Sequence, residues 1–189
     1  MTLASRISEH TCAESDLVRR ARSGDGAAWT CLVQLHEAQI LNLAAAILGH
    51  DEDARDVCQA TFQLAWVKLS TCVHDGSFPF WVRRIALNQA RDLLRKRKVR
   101  RDVFEVHEPR QGEAPSPEEI LSGKESRHRI LKALDGLPLE LREPLILHLL
   151  EDRPYAELAD ILGISQNAAR IRIHRGLIAL RQNLQEDKS

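Results

Sequence analysis

Residues 80–101 of this 189-residue chain hold nine Arg/Lys (Arg83, Arg84, Arg91, Arg95, Lys96, Arg97, Lys98, Arg100 and Arg101) against one acid, Asp92. A second basic stretch, 166–181, carries Arg170, Arg172, Arg175 and Arg181 with no acid. Between them, residues 102–125 reverse the sign, with seven acids against Arg110 and Lys124. Clustered guanidinium groups suit non-covalent recognition of phosphates and guanine edges. The net charge of zero hides this asymmetry. Nothing in the chain suits bond-making chemistry: there is no Ser/His/Asp arrangement and no Gly-rich phosphate loop, and the eight histidines are dispersed. The four cysteines (Cys12, Cys31, Cys58, Cys72) form no CxxC pair and have no His at ligand spacing. They read as structural thiols of a reducing compartment, with Cys12, in the polar leader, a redox candidate. No catalytic residue, metal, cofactor or small-molecule substrate is expected.

For the second basic stretch to work, its side chains must be held on an outward face. Its centre, RIRIHR (170–175), alternates polar and apolar as a half-buried strand does. No other segment offers a partner strand, and an isolated strand leaves its backbone unpaired. Read as a helix from Gln166, it places Ala169, Ile173, Gly176 and Leu180 on one small, aliphatic stripe, suited to packing on the helix that contains Leu158 and Ile161. Arg170, Ile171, His174, Arg175 and Ile178 stand on other faces. The preceding PYAELADILGIS predicts a short helix with Pro154 at its start and Gly163 at C′, then a tight turn and Ser165 as the next N-cap. This is a helix-turn-helix, whose second helix enters the major groove. There Arg170 and Arg175 reach guanine edges or phosphates, His174 donates a hydrogen bond, and Ile171 meets a thymine methyl. The alternative is a solvated helix, but solvated faces mix both signs and this one has no acid.

The remaining segments are also helical. LVRRARSG, with Ser15 and Asp16 as caps, stops at Gly24; a long apolar helix follows to Gly49; Asp51 then opens EDARDVCQATFQLAWVKLS. In this third helix Ala54, Cys58, Phe62, Ala65 and Leu69 form a core-facing stripe, while Asp56, Gln59, Ala60 and Gln63 share a mostly polar face. FPFWVRRIALNQARDLLRKRKVR makes the fourth, with Trp81, Ile85, Asn88 or Gln89, and Asp92 at helical spacing. Helices near 117–135 and over LPLELREPLILHLLE precede the helix-turn-helix, and Pro144 is tolerable only if its helix starts close to it. HEPRQGEAPSPEE (107–119), with three prolines, reads as a linker. The expected organisation is all-α: a leader 1–13, a helical domain 14–101, an acidic Pro-containing linker 102–120 and a helix-turn-helix domain 121–185. With 43% hydrophobic and 4% aromatic residues, the cores should be aliphatic. No signal peptide or long apolar run is read, which places the protein in the cytoplasm.

These motifs resemble the extracytoplasmic-function (group IV) sigma factors of bacterial RNA polymerase, over about residues 14–185. The matching runs are LVRRARSGD (17–25), DVCQATF (56–62), WVRRIALNQARDLLRK (81–96), Leu137-Pro138 with Arg142, YAELADILGIS (155–165) and ARIRIHRG (169–176). The resemblance implies that Asp56, Gln59 and Gln63 dock on the clamp helices of the polymerase β′ subunit; the acid usual after that Gln is Ala60 here. It implies that His74, Ser77, Phe78, Trp81, Arg83, Arg84, Asn88, Arg91 and Arg95 belong to the −10 reader and help hold the melted non-template strand. Trp81 also falls on the apolar stripe and reads as core, with a stacking platform as its alternative role; Arg95 to Arg101 equally suit a nonspecific phosphate clamp. Tyr155, Ser165, Arg170, Ile171, Arg172, His174 and Arg175 match the −35 reader. Where many members carry Gly-Thr-Val and then Lys/Arg-Ser, this chain has Asn167, Ala168, Ala169, Arg170 and Ile171, exchanging hydroxyl for methyl contacts and shifting the −35 sequence preferred. The acidic linker resembles the segment that threads toward the RNA exit path; its composition equally suits a disordered tether.

The implied partners are core RNA polymerase (β′ clamp helices and β flap), promoter DNA and an anti-sigma factor, often membrane-anchored. The implied function is transcription initiation by an alternative sigma factor under anti-sigma control. The rival is a stand-alone helix-turn-helix regulator with an effector or dimerisation lobe, but such a lobe has no use for a second basic helix. An enzyme with an accessory DNA-binding domain has no support in the sequence.

Overall fold

The computed structural model describes residues 14–72, 74–104, 124–151 and 153–186, among which every regular element is a helix. Helix α1 (14–22) is closed by Gly24 at φ +93°, a left-handed position that favours glycine. Ser15 and Asp16 lie inside α1 rather than capping it, and Asp16 pairs with Arg19 at 2.5 Å. The effective cap is one helix later. Asp25 Oδ1 accepts the amide hydrogens of Ala27 (2.9 Å) and Ala28 (3.1 Å), opening α2 (Gly26–Leu48). The Ala28 amide, then Arg20, hold the Asp25 carboxyl below its ordinary range. Gly49 at φ 72° ends α2, as its sequence position predicts.

Helix α3 (Asp51–Val67) begins with Asp51, Glu52 and Asp53, which complement the positive end of the helix dipole. Its expected stripe, Ala54, Cys58, Phe62 and Ala65, is buried, and Leu69 continues it in the 3-10 turn Leu69–Thr71. A second such turn, Asp75–Ser77, leads into α4 (Phe78–Phe104).

Two expectations drawn from composition also need correction. The core of the first lobe is not purely aliphatic: Trp29 packs against Phe62, Trp66 and Phe78 at centroid distances of 6.3, 5.2 and 6.2 Å, and Phe78 meets Trp81 at 5.9 Å. A low aromatic share does not prevent the few rings present from gathering in one place. The chain also does hold a long apolar run, since α2 is long and apolar enough to cross a membrane by length and composition. In this fold its Leu32, Ile40, Leu43, Ile47 and Leu48 are fully buried core residues, each worth about 1.5–3 kcal/mol on burial.

The second lobe is built from α5 (Lys124–Asp135), α6 (Leu139–Glu151), α7 (Tyr155–Leu162) and α8 (Gln166–Glu186). The first part of the helix expected near 117–135 lies outside the described residues, as do the leader 1–13 and most of the linker. Pro144 sits more than a turn inside α6, against expectation. Only the Glu140 carbonyl loses its helical donor there, and the proline ring is buried in the core. Pro154 and Gly163 (φ 68°) bound α7, and Ser165 Oγ accepts from the Ala168 amide at 3.2 Å to cap α8. RIRIHR is therefore helical. Ala169, Ile173, Gly176 and Leu180 are all buried, and a Cβ on Gly176 would lie 3.2 Å from the Leu141 carbonyl, so glycine lets α8 cross α6 closely.

The two lobes are packed together. Helix α2 contacts α5 and α6, α4 contacts α7, and the buried apolar residues of both lobes join in one continuous core. Arg142 crosses the seam from α6, donating to the Ile47 carbonyl near the end of α2 at 3.0 Å.

Candidate nucleic-acid interface and docking groove

On α8, the turn before it and α7 together direct the outward face. A concavity of about 340 Å³ is lined by Tyr155, Arg170, Ile171, Ile173, His174, Arg175 and Leu177. Five of the seven residues expected to read −35 thus come together. Ser165 is occupied as the cap, and Arg172 is half-buried outside the concavity. Ile171 is 41% exposed beside the exposed Arg170 and Arg175, an apolar contact set among cations. Asn167 Oδ1 accepts from Arg170 at 3.1 Å, and Tyr155 stacks on His148 with centroids 5.6 Å apart. Leu177 and Ile178 are both exposed; the sequence places Ile178 on an outward face but gives neither residue a site role. The signal was there: Ile178 follows Ile171 by seven residues, two helical turns on the same face.

On α4, Arg84, Asn88, Arg91 and Arg95 follow one another at i, i+4, i+7 and i+11 and form one stripe. Arg91 lays its guanidinium fork on Glu143 of α6, Nε to Oε1 at 2.7 Å and Nη2 to Oε2 at 2.5 Å, and donates to Asn88 Oδ1 at 3.1 Å. The Glu143 hydrogen bonds raise the Arg91 guanidinium above arginine's ordinary range, with burial opposing them. Arg95 pairs with Asp92 at 2.8 Å and Arg97 with Asp53. Two expected DNA contacts lie inside the protein in this conformation. Phe78 is fully buried, and Arg83 is 3% exposed, donating to the Pro79 carbonyl (2.7 Å) and to Gln39 Oε1 (2.6 Å). Both anchor the start of α4 on α2. Trp81 is half-buried and packs against the core, in line with its place on the apolar stripe. His74 is exposed and its carbonyl accepts from Ser77 Oγ at 2.7 Å. Arg22, which the sequence reading passed over, ties this loop to α1 through the Cys72 carbonyl (2.7 Å) and Asp75 (2.9 Å).

A third surface lies between α2 and α3. A groove of about 650 Å³ has Trp29, Val33, Leu41, Phe62 and Trp66 as its apolar lining and Glu37, Arg55, Gln59 and Gln63 among its polar residues. Gln59 and Gln63 were expected to meet the polymerase. Asp56 is exposed one turn away on the same helix but does not line the groove. Apolar lining with polar groups around it is how a groove receives a helix of a partner. The contribution of Trp29 and Trp66 was not legible, because they come from different helices.

Cys58 also lines this groove, and burial first, then the charge of Glu37, push its thiol up to about 11 from an ordinary value of 9.0. Burial raises the Cys72 thiol as well, whereas Cys31 is exposed. The folded state favours the protonated Cys58 thiol, so its contribution to stability is full below pH 9 and is lost as pH climbs toward 11. Alkylation with iodoacetamide at pH 8, followed by peptide mapping, should modify Cys31 well before Cys58 or Cys72. Equal rates would show that the α2–α3 packing opens readily.

Helices throughout the described residues, a basic helix-turn-helix, a second basic helix and a groove suited to a protein partner fit a transcription protein that binds DNA in company. The comparisons agree. The sigma-70 region 2 family matches residues 32–100, and the sigma-70 region 4 family matches residues 127–180. The RNA polymerase sigma factor NccH of Alcaligenes xylosoxydans xylosoxydans is 34% identical over 91% of this chain and 95% of its own length. The ECF RNA polymerase sigma factor SigE of Mycolicibacterium smegmatis is 33% identical over 88% of this chain, which spans 66% of that relative's length. The solved structure of CnrH in complex with the cytosolic domain of CnrY superposes with a TM-score of 0.71 at 27% identity, covering 93% of this chain and 99% of that one. The chain belongs to the extracytoplasmic-function (ECF) RNA polymerase sigma factors of the sigma-70 family.

Proposed function

We propose that this chain is a group IV sigma factor that docks on core RNA polymerase through the α2–α3 groove and the face bearing Asp56, Gln59 and Gln63. The α4 stripe then engages the −10 strand and α8 reads the −35 duplex. The observation that carries this reading is the presence, in one chain, of two separate basic helices, α4 and α8, and a largely apolar groove between α2 and α3. A stand-alone regulator needs only one of the three. The reading assigns no catalytic residue and no cofactor, and it places the protein in the cytoplasm with the polymerase. Because the relative CnrH is solved with the cytosolic domain of CnrY, and a further relative is solved with an anti-sigma factor, NepR, we assign this chain an anti-sigma partner as well.

The test is transcription in vitro. The chain plus core polymerase should initiate at its own promoter with no other sigma factor present. Tight duplex binding by the chain alone, with no initiation in the presence of core enzyme, would replace this reading with the regulator. Asp56→Ala should weaken core-polymerase binding about tenfold, the loss of roughly one charged contact, while leaving the helical fold unchanged by circular dichroism. Unchanged polymerase affinity would remove Asp56 from the docking face.

A further inference from the structure

We infer that Arg22 is a positioning residue for −10 recognition: from α1 it holds the turn beside His74 in its strand-receiving shape before DNA arrives. This inference rests on the assignment of that turn to the −10 strand and adds what sets its selectivity. Helix α1 is a fixed platform. Its Val18 and Ala21 are buried in the core, and Glu14 Oε1 meets His36 Nε2 on α2 at 3.1 Å. From this platform Arg22 Nη2 reaches 50 residues along the chain, donating to the Cys72 carbonyl at 2.7 Å and pairing with Asp75 Oδ1 at 2.9 Å. The side chains of the ion pair are 33% and 27% exposed, so water and salt screen it only in part. Helix α1 also runs alongside the turn at Ser15: a Cβ on Gly76 would lie 3.8 Å from Ser15 Oγ.

The turn is closed on itself as well. The His74 carbonyl accepts from the Ser77 amide (2.9 Å), Ser77 Oγ (2.7 Å) and Cys72 Sγ (3.5 Å), while the His74 side chain stays exposed. These bonds fix the shape of the turn, and Arg22 fixes where it stands beside α1. A base lifted out of the stack then meets groups already in place, so little ordering cost is subtracted from its binding. A held turn also cannot adapt to a wrong base, which is how rigidity becomes discrimination. Asp75 is the one acid between residues 57 and 91. Unpaired, it would repel the phosphates of the strand, and Arg22 answers that charge at the same time.

The experiment is transcription in vitro by core polymerase and the full chain from two pools of its own promoter. One pool is randomised at −10 and the other at −35, and each template carries a barcode in its transcript. Arg22→Met should cut the preference for the favoured −10 base about fivefold, the worth of one positioned hydrogen bond, and leave the −35 preference unchanged. Arg19→Met, on the same helix but partnered by Asp16 of α1 itself, should change neither. Asp75→Ala should weaken the −10 preference by a smaller amount, because the Cys72 carbonyl still holds the arginine. It carries the test if Arg22→Met folds poorly by circular dichroism. In the double variant, Asp75→Ala should not restore what Arg22→Met loses. Restoration would overturn the inference, since relief of charge alone would then explain the effect. Equal losses in both pools would overturn it too, as would an unchanged −10 preference in both Arg22→Met and Asp75→Ala. Failure of the unaltered chain to initiate with core polymerase, or to prefer any −10 base, would overturn the functional reading and this inference with it; the other failures leave that reading intact.

Discussion

Arg142→Met is expected to lower the free energy of unfolding by about 3 kcal/mol, the low end for removing one partner of a buried ionic network. For a chain of this size that is a fall of roughly 6–12 °C in melting temperature. Arg142 is 5% exposed. One terminal nitrogen donates to Asp135 Oδ1 (2.8 Å) and the Ile47 carbonyl (3.0 Å); the other donates to the Leu137 carbonyl (3.1 Å) and the Asp135 carbonyl. Methionine fills much of the stem's volume but supplies no donor, so carbonyls at the end of α2 and in the α5–α6 turn lose their partner. Burial already draws the guanidinium below arginine's ordinary range, and its Nε makes no hydrogen bond, so the site costs something to charge and still returns more through its four acceptors. Arg142→Lys should recover less than half of the loss, since a point charge cannot reproduce a planar fork. Urea denaturation of the three chains decides it, and a cost below about 1 kcal/mol for Arg142→Met would show that the seam is held by apolar packing instead.

Arg175→Ala should reduce −35-dependent initiation by about 10- to 100-fold, the range for losing one well-placed base contact of roughly 1–3 kcal/mol. The side chain is exposed and shares the α8 concavity with Arg170, Ile171 and His174, so truncation leaves the core of the lobe untouched. Abortive initiation from a promoter with both elements, set against one lacking −35, separates the outcomes. A loss confined to the first promoter supports base reading by Arg175, whereas equal losses at both would place its role elsewhere. Arg172, half-buried and outside the concavity, should matter less than Arg175.

The fold was legible wherever one helix carried its own evidence. Gly49, Gly163 and Ser165 mark helix ends because left-handed backbone and side-chain caps are local needs. The stripes of α3 and α8 were legible because a buried face repeats with the helical period. The errors have the same origin. Asp16 has the chemistry of a cap, but only its position in three dimensions tells it from Asp25, which does the capping. Pro144 looked like a helix start because its cost is local, while the packing that offsets it comes from elsewhere in the core. Arg83 and Arg91 are both arginines of one basic run, yet one is sealed against Gln39 and the other bridges to Glu143. That difference depends on residues 44 and 52 positions away in the chain, a distance over which periodicity carries no information. The meeting of Trp29 with Trp66 was invisible for the same reason.

Three arginines of α4 are answered by acids of the same chain: Arg91 by Glu143, Arg95 by Asp92 and Arg97 by Asp53. The α8 face keeps its exposed arginines, but these pairs leave the α4 stripe, in this conformation, with little positive field of its own. Few condensed counterions are released when such a surface first touches DNA, so it gains little from sliding along nonspecific duplex. Promoter search then belongs to the enzyme that carries it, and this chain adds selectivity on arrival rather than speed in getting there.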